Sequence, residues 1–295
     1  GFAGWIMANR IFNSIAVGIN AYSPEWDILY KRLCEVDGPV VCGDFSNFDG
    51  SLRPEYLQVL GSCIDDWYGD ELTHIRVGVW EYVYKSKHVN GRRLYQWRQG
   101  LPSGHPLTTI INSIYNLAAI RYCYNKMMGD RFQEFPFTEH VRCIVYGDDN
   151  VIRFSKTVEQ FVDPLLMQQA FAGIGLSYGA TSKDGTSLCF QDMSCVTFLK
   201  RSFRYCSITC RYIAPLELDV ILETPQWTKT GKLWREITVS NVNDALSELS
   251  LHDSDTFQKW SKLIVDASRK KLDYTPEETS WSRLRMKALA RNFFW

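Results

Sequence analysis

Val141-Arg142-Cys143-Ile144-Val145-Tyr146 and Asn150-Val151-Ile152-Arg153-Phe154 stand on either side of Gly147-Asp148-Asp149. This stretch limits the fold more than any other. Two apolar, β-prone runs around turn residues predict an antiparallel hairpin whose strands are buried. A hairpin alone is marginal, so more strands or a covering helix layer must complete it. The same stretch puts two carboxylates, Asp148 and Asp149, at the tip. Charge beside a buried strand is costly unless it is paired or bound to a cation. Taken alone, Gly-Asp-Asp-Asn is equally well explained as an ordinary turn.

A second acidic position sharpens the picture. Residues 39–45, Pro-Val-Val-Cys-Gly-Asp-Phe, read as another buried strand, and Asp44 lies at its end. Adjacent strands would bring Asp44 close to Asp148. Carboxylates that close repel, and a divalent cation relieves the repulsion. Hard oxygen donors without a nearby Cys or His favour Mg²⁺ or Mn²⁺ over zinc.

Around these strands the pattern alternates. Tyr56, Leu57, Leu60, Ile64 and Trp67 recur at helical spacing from Leu52, with Ser51 as N-cap. Residues 79–98 predict a hairpin turning at Asn90-Gly91. The Pro and Gly residues of 100–106 predict a loop. A helix over 107–128 follows, stopped near Gly129, with Ser103 as a credible N-cap. Thr108 and Asn112 share one face of it. A helix over 158–173 and an antiparallel pair, 196–201 with 204–213, come next. Beyond residue 214 the pattern is helical: Asn241 to Leu251, then Asp253 to Lys271 with Phe257, Trp260, Leu263, Ile264 and Ala267 on one face. A last helix is expected from Thr275, with Pro276 at its first position and Glu278 closing a capping box. The fold class is α+β: an antiparallel sheet with helices, then a helical C-terminal unit.

Composition adds limits. Of 295 residues, 45% are apolar, enough for one or two sizeable cores and too many for a disordered chain. No apolar run is long enough to span a bilayer. The first ten residues carry no basic n-region and no initiating Met, which suggests an excised piece of something longer. Nine cysteines, an odd number without framework spacing, read as reduced, mostly buried thiols. The formal net charge of zero is awkward for a nucleic-acid binder. Basic residues do gather at Arg92-Arg93, at Lys200-Arg201-Arg204 and at Arg283, Arg285, Lys287 and Arg291, although solvated faces explain such clusters as well.

Several of these features also occur together in a known family. Asp44-Phe45-Ser46-Asn47-Phe48-Asp49 resembles its motif A. Ser103-Gly104-His105-Pro106-Leu107-Thr108 through Asn112 resembles motif B, and Tyr146-Gly147-Asp148-Asp149 motif C. Ser182-Lys183-Asp184 resembles motif D, and Phe198-Leu199-Lys200-Arg201 motif E. Any one of these is weak, but five in order over residues 40–201 are specific. The chain is thus similar to the RNA-dependent RNA polymerases of positive-strand, picornavirus-like viruses, with the arthropod-infecting dicistrovirus-like branch nearest. The resemblance implies a right-hand fold: an RRM-like palm over 1–84 and 102–200, a fingers insertion over 85–101, and a thumb over 201–295. Most of the fingers, including the basic strand that grips the triphosphate, is expected to lie outside this sequence.

The resemblance also implies roles. Template-directed RNA synthesis would transfer a nucleotidyl group from an NTP to an RNA 3′-hydroxyl by a two-metal mechanism, for replication of a viral genome. Asp44, Asp148 and Asp149 would hold Mg²⁺, for which Mn²⁺ can substitute, and Lys183 would protonate pyrophosphate. Asp49, Ser103, Thr108 and Asn112 would test the ribose 2′-hydroxyl. Gly104, Lys200 and Arg201 would contact RNA, and His105 would pack the loop or touch template. Implied partners are template and primer RNA, NTPs, the remaining fingers segment of the same polyprotein and other viral replication proteins. The implied location is host cytoplasm, at membrane-associated replication complexes. A reverse transcriptase is disfavoured by Asp49 and by the motif B loop. A non-catalytic RNA-binding scaffold stays open, because a piece without fingers can be inactive.

Overall fold

The computed structural model of the chain describes residues 1–97, 99–180, 187–228 and 231–290. In chain order its helices are α1 (Phe2–Ala8), α2 (Glu25–Leu33), α3 (Phe48–Ser51), α4 (Pro54–Tyr68), α5 (Thr73–Tyr84), α6 (Thr108–Met128), α7 (Phe137–His140), α8 (Pro164–Gly173), α9 (Leu218–Glu223), α10 (Trp234–Leu249), α11 (Ser254–Leu272) and α12 (Trp281–Ala290). Its strands are β1 (Val40–Ser46), β2 (Lys87–Asn90), β3 (Arg93–Gln96), β4 (Val141–Tyr146), β5 (Asp149–Phe154), β6 (Ser177–Ala180), β7 (Thr197–Phe198), β8 (Arg201–Ser202), β9 (Arg204–Cys206) and β10 (Arg211–Ile213). The chain forms two units. Gly1–Ile19 with Leu33–Met193 make the first, and Asn20–Arg32 with Ser194–Trp295 the second.

The first unit is built on an antiparallel sheet of order β4-β5-β1-β6. β4 and β5 pair from Val141↔Phe154 to Tyr146↔Asp149, which leaves a two-residue turn, Gly147-Asp148. Gly147 takes φ +61°, the left-handed conformation that hairpin turns of this length require and that glycine adopts without a Cβ penalty. β1 inserts beside β5 with Gly43 opposite Asn150 and Asp44 opposite Gly179 of β6. Its residues are buried up to Gly43 and then alternate, so Asp44 and Ser46 face out while Phe45 stays in the core. Gly43 is needed for close approach: a Cβ there would fall 2.2 Å from the Tyr178 ring. The covering helix α6 is long and mostly apolar on the sheet side, burying Ile110, Ile111, Tyr115, Ala119, Ile120 and Cys123. Phe45, Phe48, Phe171 and Tyr178 form an aromatic cluster below the strand ends, with ring centroids 4.6–5.1 Å apart.

One segment joins the stretch after β1 to the loop before α6. Gly100 N donates to Leu52 O at 2.7 Å, Leu101 N to Asp49 O at 2.9 Å, and Gln99 Nε2 to Gly50 O at 2.9 Å. Gly100, at φ +98°, lies against Gly50, where a Cβ would come within 3.3 Å of its backbone.

Several sequence expectations need correction. Residues 79–84 are not a strand but the last turns of α5, because Trp80 seats its indole over Gly61 of α4 and donates Nε1 to Leu57 O. The hairpin is only β2–β3, turning as expected at Asn90-Gly91. Ser51 caps nothing; its hydroxyl donates to Phe48 O at 2.6 Å, and α4 starts at Pro54. Pro164 divides the expected helix over 158–173 into a short 3₁₀ turn, Lys156–Phe161, and α8, capped by Asp163.

The second unit has its own core of Ile221, Val242, Leu246, Leu249, Phe257 and Ile264, mainly between α10 and α11. Asp253 caps α11, its carboxylate accepting from Thr256 N at 2.8 Å. The expected pair 196–201 with 204–213 is two small hairpins, β7–β8 and β9–β10. The last helix begins at Trp281 rather than Pro276, and Glu278 instead accepts from Ser280 N. Residues 20–32 belong here rather than with their sequence neighbours. Trp26 is fully buried against Phe203, with centroids 4.8 Å apart, and Asp27 accepts from Tyr212 N at 2.9 Å. Among the described residues no helix is long and apolar enough to cross a membrane.

Candidate active site

The sheet register gathers acidic residues at one end of β1 and at the β4–β5 turn. Asp44 is exposed at the end of β1, Asp148 is exposed on the turn, and Asp149 opens β5 half-buried. Asp148 has its carboxyl raised above the ordinary value of 3.8. Loss of surrounding water is the main cause. The charges of Asp44 and Asp49 add to it, and the backbone N–H groups of the turn oppose it. Asp148 is therefore within electrostatic reach of both acids of the first strand segment. Asp149 is felt by Cys42 of β1, whose thiol is pushed up to about 12 by burial first and by that carboxylate second.

A polar helix face holds the turn that carries these groups. Asn116 of α6, fully buried, donates Nδ2 to Asp148 O at 2.9 Å, to Gly147 O at 3.0 Å and to Asp149 O at 3.3 Å. Ser113, also fully buried, accepts from Gly147 N at 2.8 Å and donates to Thr109 O at 2.6 Å. Asn150 Nδ2 donates to Asp148 O at 3.2 Å, and its Oδ1 accepts from Tyr178 OH at 2.7 Å. The backbone of the turn is thus fixed from α6 and β6 while Asp148 stays exposed. Sequence reading missed Ser113, Asn116 and Tyr178. The available signal was Asn112-Ser113 followed by Asn116, three polar residues within an otherwise apolar helix.

A second group forms beside it. Asp49 accepts from Asn112 Nδ2 through Oδ1 and from Ser103 Oγ at 3.1 Å through Oδ2. Asn112 is buried, and its Oδ1 has no hydrogen-bond partner. Thr108 does not join this group. Its hydroxyl sits 2.8 Å from both Pro102 O and His105 O, so its proton serves the loop. Ser103 caps no helix, since α6 starts at Thr108, and Gly104 is exposed in the loop. His105 packs the loop: its Nδ1 accepts from Leu107 N at 3.2 Å, and burial lowers its pKa.

Residues 1–268 match the family model described as viral RNA-dependent RNA polymerase. The chain belongs to this family. It is 34% identical over 284 residues to the replicase polyprotein of Cricket paralysis virus, covering 91% of this chain and 16% of that one. It is also 34% identical over 282 residues to the replicase polyprotein of Acute bee paralysis virus, covering 92% and 15%. The polymerase chain thus spans about a sixth of these relatives. Among solved structures it is similar to the Sicinivirus 3Dpol RNA-dependent RNA polymerase, with a TM-score of 0.79 and 20% identity over 98% of this chain and 59% of that one. That likeness establishes the fold, an α+β palm with a helical thumb. The dicistrovirus-like affinity read from the motifs agrees with the insect-virus relatives.

Lys183 falls outside the described residues. Lys200 and Arg201 are in the second unit. Lys200 is exposed, 3.8 Å from Glu217. Arg201, expected to contact RNA, is instead half-buried in a bidentate ion pair with Glu248, which leaves its fork no free edge for a phosphate.

The donor set suits a hard divalent cation. Among the described residues no three His, Cys, Asp or Glu groups already form a metal-binding cluster. Asp44 and Asp148 supply two carboxylates whose mutual repulsion a cation would relieve. Mg²⁺ is characteristically held in this way, by one or two carboxylates with substrate phosphates completing its shell.

Proposed function

We propose that this chain carries the catalytic centre for template-directed RNA synthesis in replication of a viral genome. Nucleotidyl transfer from an NTP to an RNA 3′-hydroxyl would release pyrophosphate. The observation that carries the reading is that the charges of Asp44 and Asp49 both act on Asp148 at the β4–β5 turn, beside the Asp49–Asn112–Ser103 hydrogen bonds. Phosphoryl chemistry asks little covalent work of a protein and much positioning of charge. Asp44 and Asp148 would hold Mg²⁺, or Mn²⁺ in its place, with Asp149 in support. The bound ions would stabilise the attacking and leaving oxygens of an in-line displacement.

The Asp49 group would test the sugar. A buried amide oxygen without a partner, as in Asn112, is costly unless a ligand hydroxyl reaches it. The ribose 2′-hydroxyl is such a ligand, and a deoxyribonucleotide lacks it. Ser103 stays with this group, Thr108 shapes the loop, and Gly104 leaves that loop open to RNA. Lys183 would protonate the departing pyrophosphate. On this reading residues 1–84 and 102–200 supply the palm, 85–101 a fingers insertion and 201–295 the thumb. The uncovered Ile75, Val77, Val79 and Tyr82 on α5 support packing against a further fingers segment of the same polyprotein. Template and primer RNA, NTPs and other replication proteins are the proposed partners, at membrane-associated complexes in the host cytoplasm.

Primer extension on oligo(U)-primed poly(A), with Mg²⁺ or Mn²⁺, tests the reading in the intact polymerase. Asp148→Ala is expected to abolish incorporation; incorporation that survives it would overturn the assignment. Asn112→Ala is expected to lower discrimination against deoxyribonucleotides, and unchanged discrimination would remove Asn112 from sugar recognition.

A further inference from the structure

The β7–β8 hairpin turns on Leu199 and Lys200, which take φ of 53° and 60°. Residues with a Cβ avoid this region at a cost of about 1–2 kcal/mol each. Such strain persists where the surroundings fix it. Here the fixing groups converge on the residue after the tip. Arg201 Nη1 donates to Ala214 O at 2.7 Å and Glu248 Oε2 at 3.0 Å. Its Nη2 donates to Glu248 Oε1 at 2.9 Å and Tyr22 OH at 3.1 Å. Tyr22 OH donates in turn to Glu248, and its ring lies 5.0 Å under the guanidinium. All four Nη hydrogens are therefore engaged. The backbone is tied as well: Glu217 N donates to Lys200 O at 2.8 Å, and Ser202 N to Pro215 O at 3.0 Å. Against this anchored frame the Lys200 side chain is 64% exposed, with Glu217 3.8 Å away.

A largely desolvated ion pair such as Arg201–Glu248 adds little net stability, because the cost of desolvation offsets the attraction. Its geometric value is larger, since a bidentate fork fixes orientation. We propose that Arg201, Glu248 and Tyr22 are positioning residues that aim the Lys200 ammonium at an RNA phosphate, and that Glu217 holds this ammonium when no phosphate is present. The proposal rests on the RNA-synthesis reading for its ligand. Arg201 then reaches RNA only through Lys200.

The test uses the intact polymerase and a fluorescein-labelled primer–template RNA, with Kd from anisotropy across a salt series and kcat from extension at saturating RNA. Lys200→Ala is expected to weaken binding and reduce the slope of log K against log salt by about 1. Tyr22→Phe keeps the ring and the ion pair but frees one side of the fork. It is expected to raise Kd severalfold, and the Lys200→Ala/Tyr22→Phe double variant to bind no worse than Lys200→Ala alone. Glu217→Gln is expected to tighten binding. Arg201→Lys, which keeps charge but not the fork, is expected to resemble Tyr22→Phe. Effects of Tyr22→Phe and Lys200→Ala that multiply, or a fall in melting temperature with Kd unchanged, would reduce the fork to a structural role and overturn the proposal. Binding is read without turnover, so a polymerase that fails to incorporate nucleotides would count against the catalytic reading and leave this one standing.

Discussion

Asn116→Leu removes the amide that donates to all three carbonyls of the Gly147-Asp148-Asp149 turn, leaving Asp148 O only the 3.2 Å donor from Asn150. Its side chain fills a similar volume, so the perturbation is loss of donors rather than a cavity. The two shortest contacts, 2.9 Å to Asp148 O and 3.0 Å to Gly147 O, use both amide hydrogens. Leaving a buried acceptor unpaired costs about 1–3 kcal/mol, so the intact protein is expected to lose roughly 2 kcal/mol or more of stability. The larger effect is expected in catalysis. Displacing reacting groups by about 1 Å costs on the order of a hundredfold in rate, equivalent to about 2.7 kcal/mol. Denaturant unfolding reads the first number and kcat for primer extension at saturating NTP reads the second. Ser113→Ala, which frees Gly147 N, is expected to act in the same direction. A variant that loses the predicted stability but keeps wild-type kcat would refute the argument that this amide sets the position of Asp148.

Other consequences can be measured directly. The raised carboxyl of Asp148 means that the folded protein binds that proton more tightly than the unfolded chain, so ionised Asp148 destabilises the fold above its folded pKa. Asp148→Asn is therefore expected to raise the melting temperature at neutral pH in EDTA, with the gain shrinking as pH falls toward 3.8; a destabilised variant would contradict this. Mg²⁺ at ten times its Kd is expected to stabilise the wild type by about 1.4 kcal/mol, and Asp148→Asn by much less. Gly43→Ala is expected to cost about 1–3 kcal/mol, because the new methyl meets the buried Tyr178 ring; calorimetry would show whether the strand shifts instead.

Much of the site could be read from the sequence because its parts are local. A Gly-Asp turn between apolar runs and a strand ending in Asp44 need few long-range contacts to be recognised. The misreadings have tertiary causes. Val79 to Tyr84 have strand-like composition, yet the groove at Gly61 draws Trp80 into a helix. Ser103 and Thr108 look alike in a motif, but only packing shows that one reaches Asp49 and the other closes its own loop. Arg201 resembles a phosphate contact until Glu248, far away in the chain, is seen to neutralise it. Residues 20–32 join the second unit because Trp26 finds its ring partners there, and nothing in the local sequence announces that.

The backbone staple at Gln99, Gly100 and Leu101 has a consequence for how such a protein can vary. It closes the excursion between Leu52 and Gln99 at its base, directly against the segment that carries Asp49. Doubling the length of a closed loop costs only about 0.6 kcal/mol. Length can therefore be added at exposed points of that excursion, such as the β2–β3 hairpin, while its two ends remain in register and Leu57, Leu60 and Val83 keep their places in the core. The region is a natural place for insertions, tags and lineage-specific surfaces, since growth there need not disturb the spacing between Asp49 and Asn112.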